Sequence, residues 1–258
     1  MKKITNISSV VIPFRRIDPS QIFVEIKDKS HPLVLVRGGL CPIGGNWIGA
    51  NAVGDESPLY TVRREVTEEM TVAKDRKAVS TQELVELGLA ETAAEYVTTG
   101  SAQTDEAADR ARLEYVVGTI AASMCPFGSY LNTVTSEAIQ GAEPGSKREG
   151  FTTLACYWVA PLDEKSWEVL TQLQAKFGNL SNESVSMVTS LGEILQKNLS
   201  GAFAHEQVLR DFFESFGLTE AKKIRIVGGQ TSEFAGPILG SYANYLEKYD
   251  IEKKPSPA

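Results

Sequence analysis

The chain has 258 residues, of which 42% are apolar and 23% charged, and carries a net charge of −7. That composition describes one large or two small globular domains rather than a disordered chain. The negative balance argues against general nucleic-acid binding, which rests on neutralising phosphates, and no apolar run approaches the roughly 20 residues that cross a bilayer.

The Met1-Lys2-Lys3 start lacks the apolar stretch of a signal peptide. Cys41, Cys125 and Cys156 are odd in number and widely spaced, which suits a reducing compartment, so a cytoplasmic location is expected. Each is read as a small buried hydrophobe. Residues 4–14, 21–27 and 33–37 are rich in Val and Ile and predict strands, broken by Pro13, Pro19 and a turn at 28–32. Gly38-Gly39 and Gly44-Gly45 then frame a glycine-rich approach that lacks the Lys-Ser/Thr ending of a P-loop. Ser57 is a good N-cap and Pro58 suits the first helical position, so a helix starts there. On that helix Glu65, Glu68 and Glu69 share one face, and Leu59, Val62, Val66, Met70 and Ala73 form an apolar stripe beside it. Like charges so spaced repel unless a cation neutralises them, and clustered carboxylates are the donors that Mg²⁺ or Mn²⁺ accept.

Residues 50–72 resemble the signature of the Nudix hydrolases, G-x5-E-x7-R-E-U-x-E-E-x-G-U with U aliphatic. Glu56, Arg64, Glu65, Glu68 and Glu69 fill every charged position, with Val66 and Val72 at aliphatic ones. Ala50 and Thr71 replace the two glycines, although Gly49 stands beside the first. A glycine at the second place would end the helix in a left-handed turn, whereas Thr71 is expected to let it run on through Ala73. The plainer alternative, a solvated and salt-bridged helix face, leaves the Glu56-to-Arg64 spacing as coincidence. The resemblance implies an α+β protein with the Nudix fold, an α/β/α sandwich around a mixed β-sheet. It covers residues 33–216 loosely, and only the box is specific. It implies a Nudix domain at 1–216 with an insertion around 90–150, a C-terminal extension at 217–250 and a disordered tail at 251–258.

Further along, residues 83–88 and 113–121 are read as short strands, with 104–106 capping a short helix and 141–150 rich in turns. Residues 151–160 predict a buried strand, 163–177 a helix carrying Trp167, Leu170, Leu173 and Phe177 at helical spacing, and 185–189 another strand. Residues 190–195 resemble the family's exit from its last core strand into a helix, and 202–216 predict an amphipathic closing helix.

By resemblance, the reaction is attack of water on a phosphorus of a nucleoside diphosphate linked to another group, releasing a nucleoside monophosphate. Glu65, Glu68 and Glu69 would hold Mg²⁺ or Mn²⁺ with Glu69 central, Glu56 acting through water. Arg64 would orient a carboxylate, pairing with Glu68. The expected general base is Glu183, in the loop before the strand at 185–189; a solvated loop glutamate is its alternative, and Glu137, Glu143 and Glu149 are lesser candidates. Trp47 and Trp158 are expected in the core. His31 and His205 have no carboxylate partner in sequence range and are read as structural.

The expected partner is a small nucleotide-derived substrate such as a dinucleotide, nucleotide sugar or ADP-ribose, with no nucleic acid and no membrane, and a homodimer is allowed. A catalytically silent nucleotide-binding module is the rival that Ala50 and Thr71 favour and the complete glutamate set opposes. Triphosphate sanitation and RNA decapping fit the long insertion and the acidic balance less well.

Overall fold

The computed structural model describes residues 3–47, 55–72 and 106–252. The strand β1 (Asn6–Arg15) is apolar on both sides because it lies inside the sheet, Val11 packing into the core on one face and Ile12 into the core on the other. It runs parallel to β6 (Phe151–Leu162) throughout its length. Its other edge is shared. β4 (Ile43–Asn46) pairs with residues 8–11, and β2 (Asp18–Ile26) joins only at Phe14 and Arg15. Pro13 therefore does not break the strand, contrary to its sequence reading. On this edge it falls between the two partners, where no ladder N–H is required.

β3 (Leu40–Cys41) and β7 (Val185–Ser190) pair with β2, while β5 (Cys125–Val134) and then β8 (Gln230–Gly236) extend the sheet beyond β6. The result is a mixed eight-stranded sheet. Helices cover both faces. α1 (Pro58–Glu69), α2 (Glu106–Ser123) and α4 (Glu164–Phe177) bury Val62, Val66, Val116, Ile120, Trp167 and Leu170 against Val11 and Phe23. On the opposite face α5 (Leu191–Gln196) and α6 (His205–Ser215) bury Leu191, Ile194, Leu209 and Phe212 against Ile12 and Val24. The short α3 (Ser136–Ala142) follows β5, and α7 (Tyr242–Lys248) is the last helix of the described residues.

Three expected elements differ. Residues 33–37 form a 3₁₀ turn at Val34–Val36, because Gly38 in a left-handed conformation (φ 76°) folds the chain back so that Leu40 can pair with Ile26. Residues 113–121 belong to α2: Leu113, Val116 and Ile120 are buried at helical spacing, and that period outweighs the β-branched composition. The box helix ends at Glu69 rather than running through Ala73, since Thr71 N–H donates to Leu180 O at 2.8 Å and Met70 bridges Ser181.

Within the stretch expected as an insertion, residues 106–150 supply α2 and the interior strand β5. Residues 217–250 supply β8 and α7, whose Tyr242 and Tyr245 are buried against Ile4, Ile7 and Leu154. The expected tail is anchored at its start: Ile251 bridges Ile4, and Glu252 meets Lys3 at 3.1 Å. Residues 83–88, 104–105 and 253–258 lie outside the described chain. No helix among the described residues is long and apolar enough to cross a membrane.

Candidate active site

The Ser57 side chain accepts from Tyr60 N–H and Pro58 opens α1, as the sequence predicts. With Val62 and Val66 turned into the core, the helical period sets each carboxylate at a different depth. Glu69 is 3% exposed, the Glu65 side chain 13% and the Glu68 side chain 58%. The shared acidic face is thus a gradient from core to solvent, and Glu68 stands outside the cleft that Glu65 and Glu69 line.

The glycine pair on β4 makes room for the two inner carboxylates. A Cβ on Gly45 would lie 2.4 Å from Cδ of Glu65. Gly44 donates its N–H to Glu69 Oε2 at 3.2 Å, and its φ of 136° belongs to glycine alone.

Arg64 spans the outer side. Its guanidinium meets Glu68 Oε2 at 2.8 Å, Glu65 Oε1 at 2.8 Å and Asp55 Oδ2 at 3.0 Å. The pairing with Glu68 follows the sequence expectation, but the buried anchor is Asp55, which sequence reasoning missed. Asp55 also accepts from Thr61 Oγ1 at 3.1 Å, and that hydroxyl meets Tyr242 Oη at 2.6 Å. Glu56, the residue expected to act beside the metal, is exposed and is not part of the cleft lining; its backbone carbonyl accepts from Tyr242 N–H at 3.1 Å. The only available signal was a second acid immediately before Glu56. Choosing between them requires knowing which way the chain enters the helix.

Glu183 does reach this cleft. Its loop is tied to the end of α1, where Asn182 N–H donates to Glu69 O at 3.1 Å and Asn182 Nδ2 to Glu68 O at 2.8 Å. These bonds satisfy carbonyls that the helix terminus leaves open. Glu137, Glu143 and Glu149 do not line the cleft.

One further charge enters from β2. Lys27 Nζ lies 3.1 Å from Ser184 Oγ and 3.4 Å from Glu25 Oε2, with Glu25 only 2% exposed. Burial opposes the ammonium charge, but the surrounding Cys41, Glu25 and Glu69 hold it well above the ordinary lysine range. Burial foremost, then repulsion by Glu25, Glu183 and Glu65, pushes the Glu69 carboxyl up to about 9 despite the opposing field of Lys27. Burial also raises Glu65, against the pull of Arg64. Burial lifts the Cys41 thiol to about 12, which keeps it protonated and unreactive.

The cleft has a volume of about 580 Å³ and is bordered by Ser8 and Val10 of β1 and by Gly44, Gly45 and Asn46 of β4. Its wall also carries Phe151, Phe203, His31 and His205. Trp158 is a core residue as expected, donating to Ser9 Oγ at 3.1 Å. Trp47 is only partly buried, stacks on Tyr242 at 4.5 Å and donates to Asp55 O at 3.1 Å. All three cysteines are free; Cys41 and Cys156 are buried as expected, whereas Cys125 is exposed, at the start of β5.

Among the described residues no three His, Cys, Asp or Glu side chains converge as they stand on a point that would hold an ion. The donor chemistry nevertheless fits a hard cation, because Glu65, Glu69 and Glu183 line one cleft and burial foremost, with repulsion from neighbouring carboxylates, raises two of these carboxyls. Searches of protein-family profiles, curated proteins and solved structures found no match to this chain.

Proposed function

We propose that the protein is a metal-dependent hydrolase of the Nudix type that cleaves the diphosphate of a nucleoside diphosphate linked to another group. The observation that carries this reading is the meeting of Glu65, Glu69 and Glu183, from two distant segments, in one cleft beside Gly44-Gly45. Glu65 and Glu69 would hold Mg²⁺ or Mn²⁺, with Glu68 at the rim. Bound there, the ion would offset the diphosphate charge and acidify a water.

The protein's own groups then have distinct tasks. Glu183 accepts the proton of the attacking water as its oxygen bonds to phosphorus and the bridging P–O bond breaks. Lys27 supplies fixed positive charge beside Glu69, where a diphosphate oxygen can be neutralised. Arg64, held by Asp55, positions Glu65 and does not itself face the substrate. The three free thiols suit a reducing, cytoplasmic setting.

A catalytically silent nucleotide-binding module is the second reading, favoured by the presence of Lys27 beside Glu69 and Arg64 on Glu65. A screen of nucleotide diphosphate derivatives with Mg²⁺ or Mn²⁺ separates the two. The hydrolase reading requires monophosphate release that a chelator abolishes and added metal restores. Binding without turnover across the panel selects the silent module.

A further inference from the structure

The part of the cleft lined by His205, Phe203 and Phe151 holds a fixed hydrogen-bond donor that the proposed chemistry leaves unused. Ser232 Oγ donates to Asn132 Oδ1 at 2.7 Å, which orients the Asn132 amide. Asn132 Nδ2 then donates to the Tyr157 hydroxyl oxygen at 2.6 Å. The remaining partner of that hydroxyl is His205 Nδ1, and with its oxygen already accepting from Asn132, the Tyr157 O–H donates a hydrogen bond to the imidazole. The network thereby assigns Nδ1 as acceptor and Nε2 as the protonated nitrogen.

His205 stays neutral in this arrangement, because burial foremost and the charge of Lys27 depress its pKa to about 3. The residue is 5% exposed and lines the cleft, and among the described residues Nε2 has no hydrogen-bond partner. Nε2 is reachable from the cleft rather than sealed in the core, so its N–H stands where a ligand acceptor can meet it.

The surroundings indicate the kind of ligand. The Phe203 ring lies 6.1 Å from His205, 6.5 Å from Phe151 and 5.6 Å from His31. Phe203 itself adopts a left-handed backbone, φ 51°, and the following Ala204, φ 64°, is held by its N–H donating to Gln230 Oε1 at 2.6 Å. Aromatic faces beside one neutral N–H suit a flat ring that bears an acceptor and no charge. A cation is disfavoured by Lys27, whose field already reaches His205.

We propose that this part of the cleft is a subsite for an uncharged heteroaromatic ring of the nucleobase kind, which accepts a hydrogen bond from His205 Nε2 and packs against Phe203 and Phe151. Its link to the carboxylates rests on the diphosphate reading above; the recognition itself does not. Asn132 and Tyr157 act as positioning residues that fix the imidazole tautomer, and the specificity is for an acceptor rather than a donor at that ring edge.

The test uses the full chain. Calorimetric titration with the four ribonucleoside 5′-monophosphates and with ribose 5-phosphate, without added metal, is expected to show at least one base-bearing ligand binding about ten-fold or more tighter than the sugar phosphate. His205→Phe should remove most of that margin, and His205→Gln, which keeps a donor, should restore part of it. Tyr157→Phe should weaken binding through the tautomer, visible in the ¹⁵N shifts of the imidazole. Because these variants alter a buried network, wild-type ¹⁵N-histidine spectra give an independent reading: the Nε2 resonance of His205 must report the Nε2–H tautomer and must shift when the base-bearing ligand is added.

No preference over ribose 5-phosphate, an unmoved Nε2 resonance or unaltered binding by folded His205→Phe overturns the subsite. Hydrolysis of diphosphates with KM unaltered in His205→Phe would leave the proposed reaction standing and the subsite refuted. Binding that depends on His205, without hydrolysis of any diphosphate, would do the reverse.

Discussion

Gly45 faces Glu65 so closely that a Cβ on the glycine would stand 2.4 Å from the carboxyl carbon. The glycine is required by a side chain from another element rather than by its own turn. Gly45→Ala should push Glu65 away from the cleft wall, at a cost of about 1–3 kcal/mol for the overpacked contact. Urea denaturation should record the loss of stability, and Mn²⁺ titration by electron paramagnetic resonance should show weaker binding. Unaltered Mn²⁺ affinity would remove Glu65 from the metal set.

Glu69→Gln should lower kcat roughly a hundred-fold, on the order of 3 kcal/mol of transition-state stabilisation. In metal-free protein its effect on stability has the opposite sign. The folded carboxyl is raised to about 9 from the ordinary 4.5, so the folded state binds the extra proton. The stabilisation this proton linkage gives is complete below pH 4.5 and is lost as pH rises through about 9. Thermal melts with chelator should therefore show the variant gaining on wild type from pH 5 to pH 9. Parallel melting curves across that window would rule out a destabilising buried charge.

Glu183→Gln should slow turnover about a hundred-fold while leaving metal affinity nearly unchanged. A wild-type kcat would return the search for the base to Glu65.

Asp55 and Glu56 should separate sharply. Asp55 is 3% exposed and bonded to Arg64, so Asp55→Asn should cost on the order of 3 kcal/mol and lower activity by releasing Arg64 from Glu65. Glu56→Gln, at an exposed position, should stay within about 0.5 kcal/mol of wild type. Equal effects in denaturation and kinetic assays would contradict the assignment of Asp55 as the arginine's anchor.

The local signals that survived folding are those set by short-range physics. Ser57 and Pro58 started α1, and the Trp167–Leu170–Leu173–Phe177 stripe made α4. These depend on neighbours three or four residues away, which a sequence displays directly. The Val-rich runs at 33–37 and 113–121 were ambiguous for the same reason: their local composition suits a strand, and only packing and pairing decided otherwise.

Which glutamates could work together lay in one part of the chain, but how deeply each sits did not. Helical period alone makes Glu65, Glu68 and Glu69 equivalent neighbours; the position of β4 against α1 buries two and leaves the third in water. Lys27 and the Ser232–Asn132–Tyr157–His205 chain carry no signal of their own in the sequence, because their meaning comes from contacts made by residues tens to more than a hundred positions apart. The sequence by itself determined the acidic helix, its N-terminal cap and its glycine-rich approach. Tertiary structure decided which acids are desolvated, which cation lies among them and which donor is left without a partner, since burial and charge at a point are sums over the whole fold.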